Sequence, residues 1–247
     1  MISTKIPESW VIPTELRNRF GKNGVGKQRA MEAEGHLLLI LHKVPKEDAR
    51  KREAIIFWRN PQGEWIDNHK SKGLYKLRKH IDEYVVKEVG LNQRYDKASK
   101  PEDYFDLLEE LTPLVRAAAN MAKALQQARE FVKDDTDIID MRDSSQEVSR
   151  ELEILYTDAR NGLDYTVAKR AEEQAKYSMA TSKSTDKLNL LVAIFLPVTA
   201  MSGIFGMNFK TGLENASTVM FWIVTISSFI LGFGVKSWIL NEEKDEN

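Results

Sequence analysis

Charged side chains punctuate this sequence at short intervals, except in two stretches near its C-terminal end. Between Lys187 and Lys210 lie 22 residues without a charge, and residues 215–235 form a second uncharged run of 21. Crossing the hydrocarbon layer of a bilayer takes about 20 apolar residues at ~1.5 Å each. Backbone polar groups find no water there, so both runs are expected to be helices. The competing reading is a hairpin of two buried helices in a soluble core, but uncharged runs this long favour a membrane. The first run is the less apolar, with Asn189, Pro197, Thr199, Ser202 and Gly203, a composition suited to packing on other helices or lining water. The second has Trp222 and Trp238 near its ends, where interfacial anchors sit. An inward-facing first helix and a lipid-facing second one point to an oligomeric pore, because one polar-faced helix cannot enclose a channel.

From about Ser145 a helical period leads directly into the first run. Val148, Leu152, Leu155, Ala159, Leu163, Val167, Ala171 and Ala175 mark its stripe, with Gly162 as the one weak point before Pro197. A helix unbroken over residues 145–205 would span about 90 Å at ~1.5 Å per residue, a stalk and a membrane helix in one rod. Ser, Thr and Lys dominate residues 178–186, as expected of a collar between water and membrane. Upstream, Leu108, Leu111, Val115, Ala118, Ala122 and Leu125 form another helical stripe beginning near Pro101, a residue suited to a first helical position. Pro113 within it is expected to kink or divide the helix.

The first 100 residues read differently. Residues 35–44 (GHLLLILHKV) and 53–59 (EAIIFWR) are strand-like, the turn Asn60-Pro61-Gln62-Gly63 follows, and residues 64–66 are expected to return as a hairpin. Leu74, Leu77, Ile81, Tyr84 or Val85, and Val89 then recur at helical spacing, with Gly90 as the expected stop. The fold class is therefore α+β. An N-terminal α/β layer (1–100) precedes cytoplasmic helices and a stalk (101–187), a two-helix membrane domain (188–240) and an acidic tail (241–247).

Charge sharpens this division. The net charge of −1 hides +8 over residues 1–100, −7 over 101–187 and −2 beyond, which fits two halves of one domain pairing with each other. There is no cysteine, hence neither a disulfide framework nor a thiolate metal site. The N-terminal residues lack the continuous apolar core of a signal peptide, leaving targeting to the membrane helices. Residues 21–27 fit the phosphate-loop spacing G-x-x-x-x-G-K, but Gln28 stands where Ser or Thr would hold magnesium, so a glycine-rich surface loop is the preferred reading. His36, His42, His69 and His80 lack ligand spacing and read as ordinary core or surface residues. Five aspartates within residues 134–143 (Asp134, Asp135, Asp137, Asp140, Asp143) suit a magnesium or calcium sensor. They equally suit a solvated turn between helices.

The order Pro197-x-Thr199, then Gly203-Ile204-Phe205-Gly206-Met207-Asn208, at the end of a stalk-plus-membrane helix and before a second apolar run, resembles the CorA family of divalent-cation channels. The resemblance covers residues 145–240. It implies a homopentamer in the cell (inner) membrane, in contact with lipid, with both termini cytoplasmic, five first helices lining the pore and second helices outside. It implies a ring of Asn208 amide oxygens at the outer entrance, with Gly206 and Met207 shaping the turn. Thr199 matches the family's pore threonine. Leu188, eleven residues earlier, falls within about 20° of it on an ideal helix, with Val192 between. Leu188 and Val192 would form an apolar gate that closes by dewetting, or serve plain helix packing. Cytoplasmic Mg2+ bridging carboxylates of neighbouring subunits would close the pore, and the candidates are the five aspartates with Glu147 and Glu151. Two features depart from the family pattern: Lys210 in the loop after the motif, and the acidic tail. Lys176, Lys183 and Lys187 before the first span still favour a cytoplasmic N-terminal domain.

The leading expectation is thus a passive magnesium channel gated by cytoplasmic Mg2+, with Mg2+ as cargo and regulator and no organic cofactor. The alternatives are a zinc, cobalt or nickel transporter of the same fold, or a membrane effector opened by an anionic ligand at the basic N-terminal region. No nucleophile–base pair or intact nucleotide motif supports an enzyme, and no feature calls for nucleic acid.

Overall fold

The computed structural model describes residues 6–20, 26–45, 53–67, 73–206 and 217–245. The chain divides into two compact units, residues 1–168 and 169–247.

In the first unit, a short helix α1 (Thr14–Arg19) is followed by four strands, β1 (Arg29–Ala33), β2 (His36–His42), β3 (Ala54–Arg59) and β4 (Trp65–Asp67). They form an antiparallel meander in the order β1-β2-β3-β4. Leu39 pairs with Ala30 on one side and with Phe57 on the other. The unbroken apolar run of β2 is explained by burial on both faces. Leu37, Leu39 and Leu41, with Phe57 and Trp65, face the helical core. Leu38 and Ile40, with Met31, Ile56 and Trp58, are covered by Ile6, Trp10, Ile12 and Leu16 of the N-terminal segment. Glu34 and Gly35 both have positive φ in the β1–β2 turn, a conformation glycine adopts without strain.

Three long helices follow: α2 (Gly73–Tyr95), α3 (Pro101–Phe131) and α4 (Thr136–Gly206). A Cβ at Gly73 would lie 2.6 Å from the Trp65 carbonyl carbon, so only glycine lets α2 start so close to β4. Gly90 does not stop α2, because Leu91 beyond it is fully buried and continues the apolar stripe. Pro113 does not divide α3 either. It lies on the exposed side, where the carbonyl it leaves unpaired meets water, while Leu111, Leu114 and Ala118 hold the buried side. At the start of α3 the Asp103 carboxylate accepts N–H bonds from Ser99 and Lys100, both 3.0 Å, and these bonds lower its pKa.

Helix α4 begins nine residues before the 145 expected from periodicity. Asp135 is the reason. Its Oδ1 accepts the N–H of Ile138 (3.1 Å), an N-cap bond, and Oδ2 accepts from Arg59 Nε (2.8 Å) and Nη2 (2.7 Å). Ile138 and Met141 then join the core stripe. The opposed charges of the two halves meet in the same way at Arg78–Asp137 (2.8 Å) and at Glu110, which takes Lys87 (2.6 Å) and Arg94. Burial alone would raise the Glu110 carboxyl, but the bonds from Arg94 and Lys87 outweigh it and hold the pKa low.

Gln28, the residue that breaks the phosphate-loop pattern, is a structural tie. Its Nε2 donates to the Ala117 carbonyl (2.8 Å) and its Oε1 accepts the His42 N–H (3.1 Å). Residues 21–25 of that motif lie outside the described residues. His42 and His80 are both buried. The Tyr84 hydroxyl donates to the His42 carbonyl (2.8 Å), and His80 Nε2 has no hydrogen-bond partner among the described residues.

Two outcomes follow from these contacts. Asp135→Ala removes the cap and strands the largely buried Arg59, and should destabilise the chain by about 2–4 kcal/mol. Asp135→Asn keeps the cap acceptor and should lose roughly half as much. Thermal unfolding of the detergent-solubilised chain ranks the two, and equal losses would refute the double role of Asp135. Burial outweighs the opposing bond to the His42 backbone and, with smaller contributions from the charges of Lys43 and His42, pushes the His80 imidazole down to about 4 from 6.5. The unfolded chain therefore takes up this proton first, and stability is present above pH 6.5 and lost as pH falls from 6.5 to about 4. The loss is on the order of 3 kcal/mol. His80→Phe should flatten that limb of a stability–pH curve.

Candidate ion pathway

The second unit contains the C-terminal part of α4 and helix α5 (Thr218–Asp245). Among the described residues α4 is the one helix long and apolar enough to cross a membrane, by length and composition, with mean hydropathy 1.7 over its apolar window. The second uncharged run forms a shorter apolar helix over Thr218–Gly234.

Where the two helices meet, α5 presents small residues. A Cβ at Gly232 would lie 3.1 Å from the Ile194 carbonyl oxygen and 3.2 Å from its Cα. Ser228, four residues earlier, is buried and donates its hydroxyl to the Val224 carbonyl (2.9 Å). Small residues four apart let helix backbones approach closely where no hydrophobic effect drives them together. The half-buried residues of α4 here are Leu190, Ala193, Ile194, Pro197, Val198 and Met201.

The residues expected to line the pore lie on the other side. Leu188, Val192, Thr199 and Gly206 are all exposed, and their spacing puts them within about 40° of one another on an ideal helix, roughly opposite Ala193, Ile194 and Pro197. Phe195 and Ser202 share this face. The sequence reading passed over Phe195, although its seven-residue spacing from Leu188 was the available signal. The Thr199 hydroxyl donates to the Phe195 carbonyl (2.8 Å). Its proton is thereby committed, and its oxygen lone pairs remain as acceptors. Gly206 is the last residue of α4, while Met207 and Asn208 lie outside the described residues.

The carboxylates do not converge within one chain. Asp135 and Asp137 pair with Arg59 and Arg78 as described, and Asp143 pairs with neighbouring Arg142 at 3.0 Å. Asp134 is exposed beside the turn. Asp140, Asp143, Glu147 and Glu151 recur at intervals of three and four on the exposed side of α4. No group of three or more metal-binding side chains forms among the described residues. Burial and the Glu151 carboxylate together raise the pKa of Glu88 on α2, marking a point where negative charge accumulates.

The first unit joins a small sheet to long helices, and α4 continues from it into a membrane-length apolar segment. The sequence profile described as CorA-like Mg2+ transporter protein matches residues 72–241, and the chain belongs to that family. No curated protein matches the chain. Among solved structures, the ZntB cytoplasmic domain from Vibrio parahaemolyticus is similar in fold, with TM-score 0.53 and 11% identity, covering 66% of this chain and 80% of that one. The complete CorA magnesium transporter from Methanocaldococcus jannaschii aligns with TM-score 0.42 and 14% identity over 89% of this chain and 81% of its own. The full-length CmaX protein gives 0.45 and 13% over 89% and 78%.

The contact of α5 with α4 makes Gly232 a sensitive position. Gly232→Ala requires shifts of a few tenths of an ångström and should lower the melting temperature slightly. Gly232→Leu cannot be accommodated and should lower it by far more, while Gly234→Leu, where a Cβ meets nothing within 4 Å, should be mild. Equal effects at 232 and 234 would contradict the observed helix contact.

Proposed function

We propose that the protein is a homopentameric channel in the cell membrane that conducts Mg2+ passively, driven by membrane potential, and closes when cytoplasmic Mg2+ binds between subunits. Both apolar helices span the bilayer, with the termini cytoplasmic. Family membership supports divalent-cation transport as the activity. The observation that carries the pore reading is the face of α4 bearing Leu188, Val192, Phe195, Thr199, Ser202 and Gly206, turned away from α5. One such face cannot enclose water, and five can. The lipid side falls to α5, whose exposed residues Val219, Phe221, Trp222, Ile223, Ile226 and Ile230 are apolar.

The chemistry supports Mg2+ over softer ions. Mg2+ sheds water reluctantly and prefers oxygen, and its hydration shell presents hydrogens outward. The Thr199 oxygen, with its own proton committed to Phe195, accepts from that shell, as would an Asn208 amide oxygen at the entrance. The described pore face carries no His, and the chain has no Cys, so soft-metal ligands are lacking there. Below Thr199, Leu188, Val192 and Phe195 form an apolar stretch able to gate by dewetting. For regulation, Asp140, Asp143, Glu147 and Glu151 are among the carboxylates on the exposed side of α4, and the crowding of Glu88 with Glu151 favours a bound dication. Asp135 and Asp137 are occupied by arginines and serve folding.

Mg2+ influx into liposomes holding the purified chain tests this reading. Asn208→Ala should reduce influx or its preference for Mg2+ by at least about tenfold, and Mg2+ on the stalk side should suppress it. Zn2+, Co2+ or Ni2+ outcompeting Mg2+ would select a transporter of those metals. A folded oligomer passing no divalent ion would overturn the channel reading and favour an effector opened by another ligand.

A further inference from the structure

Gly162 is the sole glycine of α4 before residue 203, and the structure gives it a specific neighbour. A Cβ at this position would lie 2.6 Å from Tyr104 Cε1, 2.8 Å from Cζ and 3.2 Å from Cδ1. The Tyr104 ring is thus seated directly against the backbone of α4, in a notch that no other residue leaves open. The ring is held from its other side. Tyr95, at the end of α2, meets it edge-on with centroids 6.2 Å apart, and the Tyr104 hydroxyl donates to the Ala98 carbonyl (3.2 Å).

One turn further along, α4 carries a second local peculiarity. The Thr166 hydroxyl lies 2.9 Å from both the Gly162 and the Leu163 carbonyl oxygens. Such back-bonding gives these carbonyls an alternative partner and eases helix bending, and glycine itself weakens a helix by about 1 kcal/mol relative to alanine. Both features fall where α4 leaves its packing. Ala159 is its last buried core residue, and residues 167–189 are exposed on every side within the chain.

We propose that residues 162–166 are a built-in weak point of α4, latched in helical form by the Tyr104 ring, and that release of this ring is a step in gating. The gating half rests on the channel reading above; the latch does not. Tyr104 and Gly162 act as positioning residues and lie apart from the proposed ion path. The latch links the α2–α3 layer to the one helix that continues into the apolar segment, so any ligand that shifts Tyr95 or the α2–α3 connection acts on α4 at its weakest turn.

Amide hydrogen exchange on the full chain in lipid nanodiscs decides the latch. Tyr104→Ala should speed exchange of the amides of residues 163–167 by about tenfold while leaving residues 138–155 unchanged. Adding Gly162→Ala to that variant, where the methyl now has room, should slow it again. Thr166→Val, which disturbs no core contact, should slow local exchange in the otherwise native chain. Tyr104→Phe keeps the ring but loses the bond to Ala98, and its exchange should fall between that of the parent and that of Tyr104→Ala. Unchanged exchange at 163–167 in Tyr104→Ala, or a rise spread evenly over residues 138–167, would overturn the latch. In a conducting parent, the stalk-side Mg2+ concentration that halves influx should shift at least about threefold in Tyr104→Ala and return in the double variant. No shift would overturn the gating half alone, and a parent that conducts no divalent ion would overturn the channel reading while the exchange pattern still decides the latch.

Discussion

A helix that passes from a protein core through water into an apolar layer keeps one backbone ladder while its side chains meet three solvents. Helix α4, 71 residues long, would do this in the proposed channel. Residues 138–159 bury an apolar stripe in the core cluster that α2, α3 and the sheet also supply. Residues 167–189 are exposed on all sides, and the apolar segment beyond is half-covered by α5. A helix exposed all round has no packed face of its own to stabilise it, and such segments persist when neighbours supply one. In the proposed pentamer four other copies of α4 do so. The start of the ladder is equally dependent on one group, since Asp135 caps the first turn and ties it to the sheet through Arg59.

How much of this was legible in the sequence depends on whether the determinant is local. The β2 run, the β3–β4 hairpin and the long helical periods are local signals, and the structure follows them. Gly90 and Pro113 are local signals too, and there the structure overrides them. A propensity cost of about 1 kcal/mol for glycine, or ~3 for an interior proline, is smaller than what burial of Leu91, Leu111 and Leu114 contributes, so α2 and α3 continue. Strand β1 is short and mixed in character, and its state is set by pairing with β2 and by Gln127, whose side chain accepts the Ala30 N–H (3.3 Å). Such tertiary causes leave no period to read. The arginine partners of Asp135 and Asp137 within 134–143 are hidden for the same reason, because they lie 76 and 59 residues away.

The face of α4 proposed to line the pore was legible from the family resemblance, which picked out Thr199, and from helical spacing, which puts Leu188 and Val192 on the same side. What spacing could not reveal is the opposite side. That Ile194 meets the backbone notch at Gly232 is a property of two helices, and it is what fixes which face of α4 remains free. The glycine at 162 shows the same limit. In the sequence it is a weak point; in the structure it is a seat for Tyr104.

The distribution of charge suits the proposed preference for a hydrated dication. The basic first segment and the acidic second neutralise one another through Arg59, Arg78, Lys87 and Arg94, so the surplus carboxylates, Asp140, Glu147 and Glu151 among them, are concentrated on the exposed face of α4. The face of α4 proposed to line the pore is neutral. A carboxylate ring in a narrow apolar passage would hold a dication too tightly to release it, since attraction between unlike charges grows steeply as the dielectric falls. Neutral acceptors avoid this: a hydroxyl with its proton committed to a carbonyl, or an amide oxygen, engages the hydration shell and lets the ion leave. In the proposed channel charge thus gathers cations on the cytoplasmic helix, where binding governs closure, and is kept out of the passage, where conduction depends on weak binding.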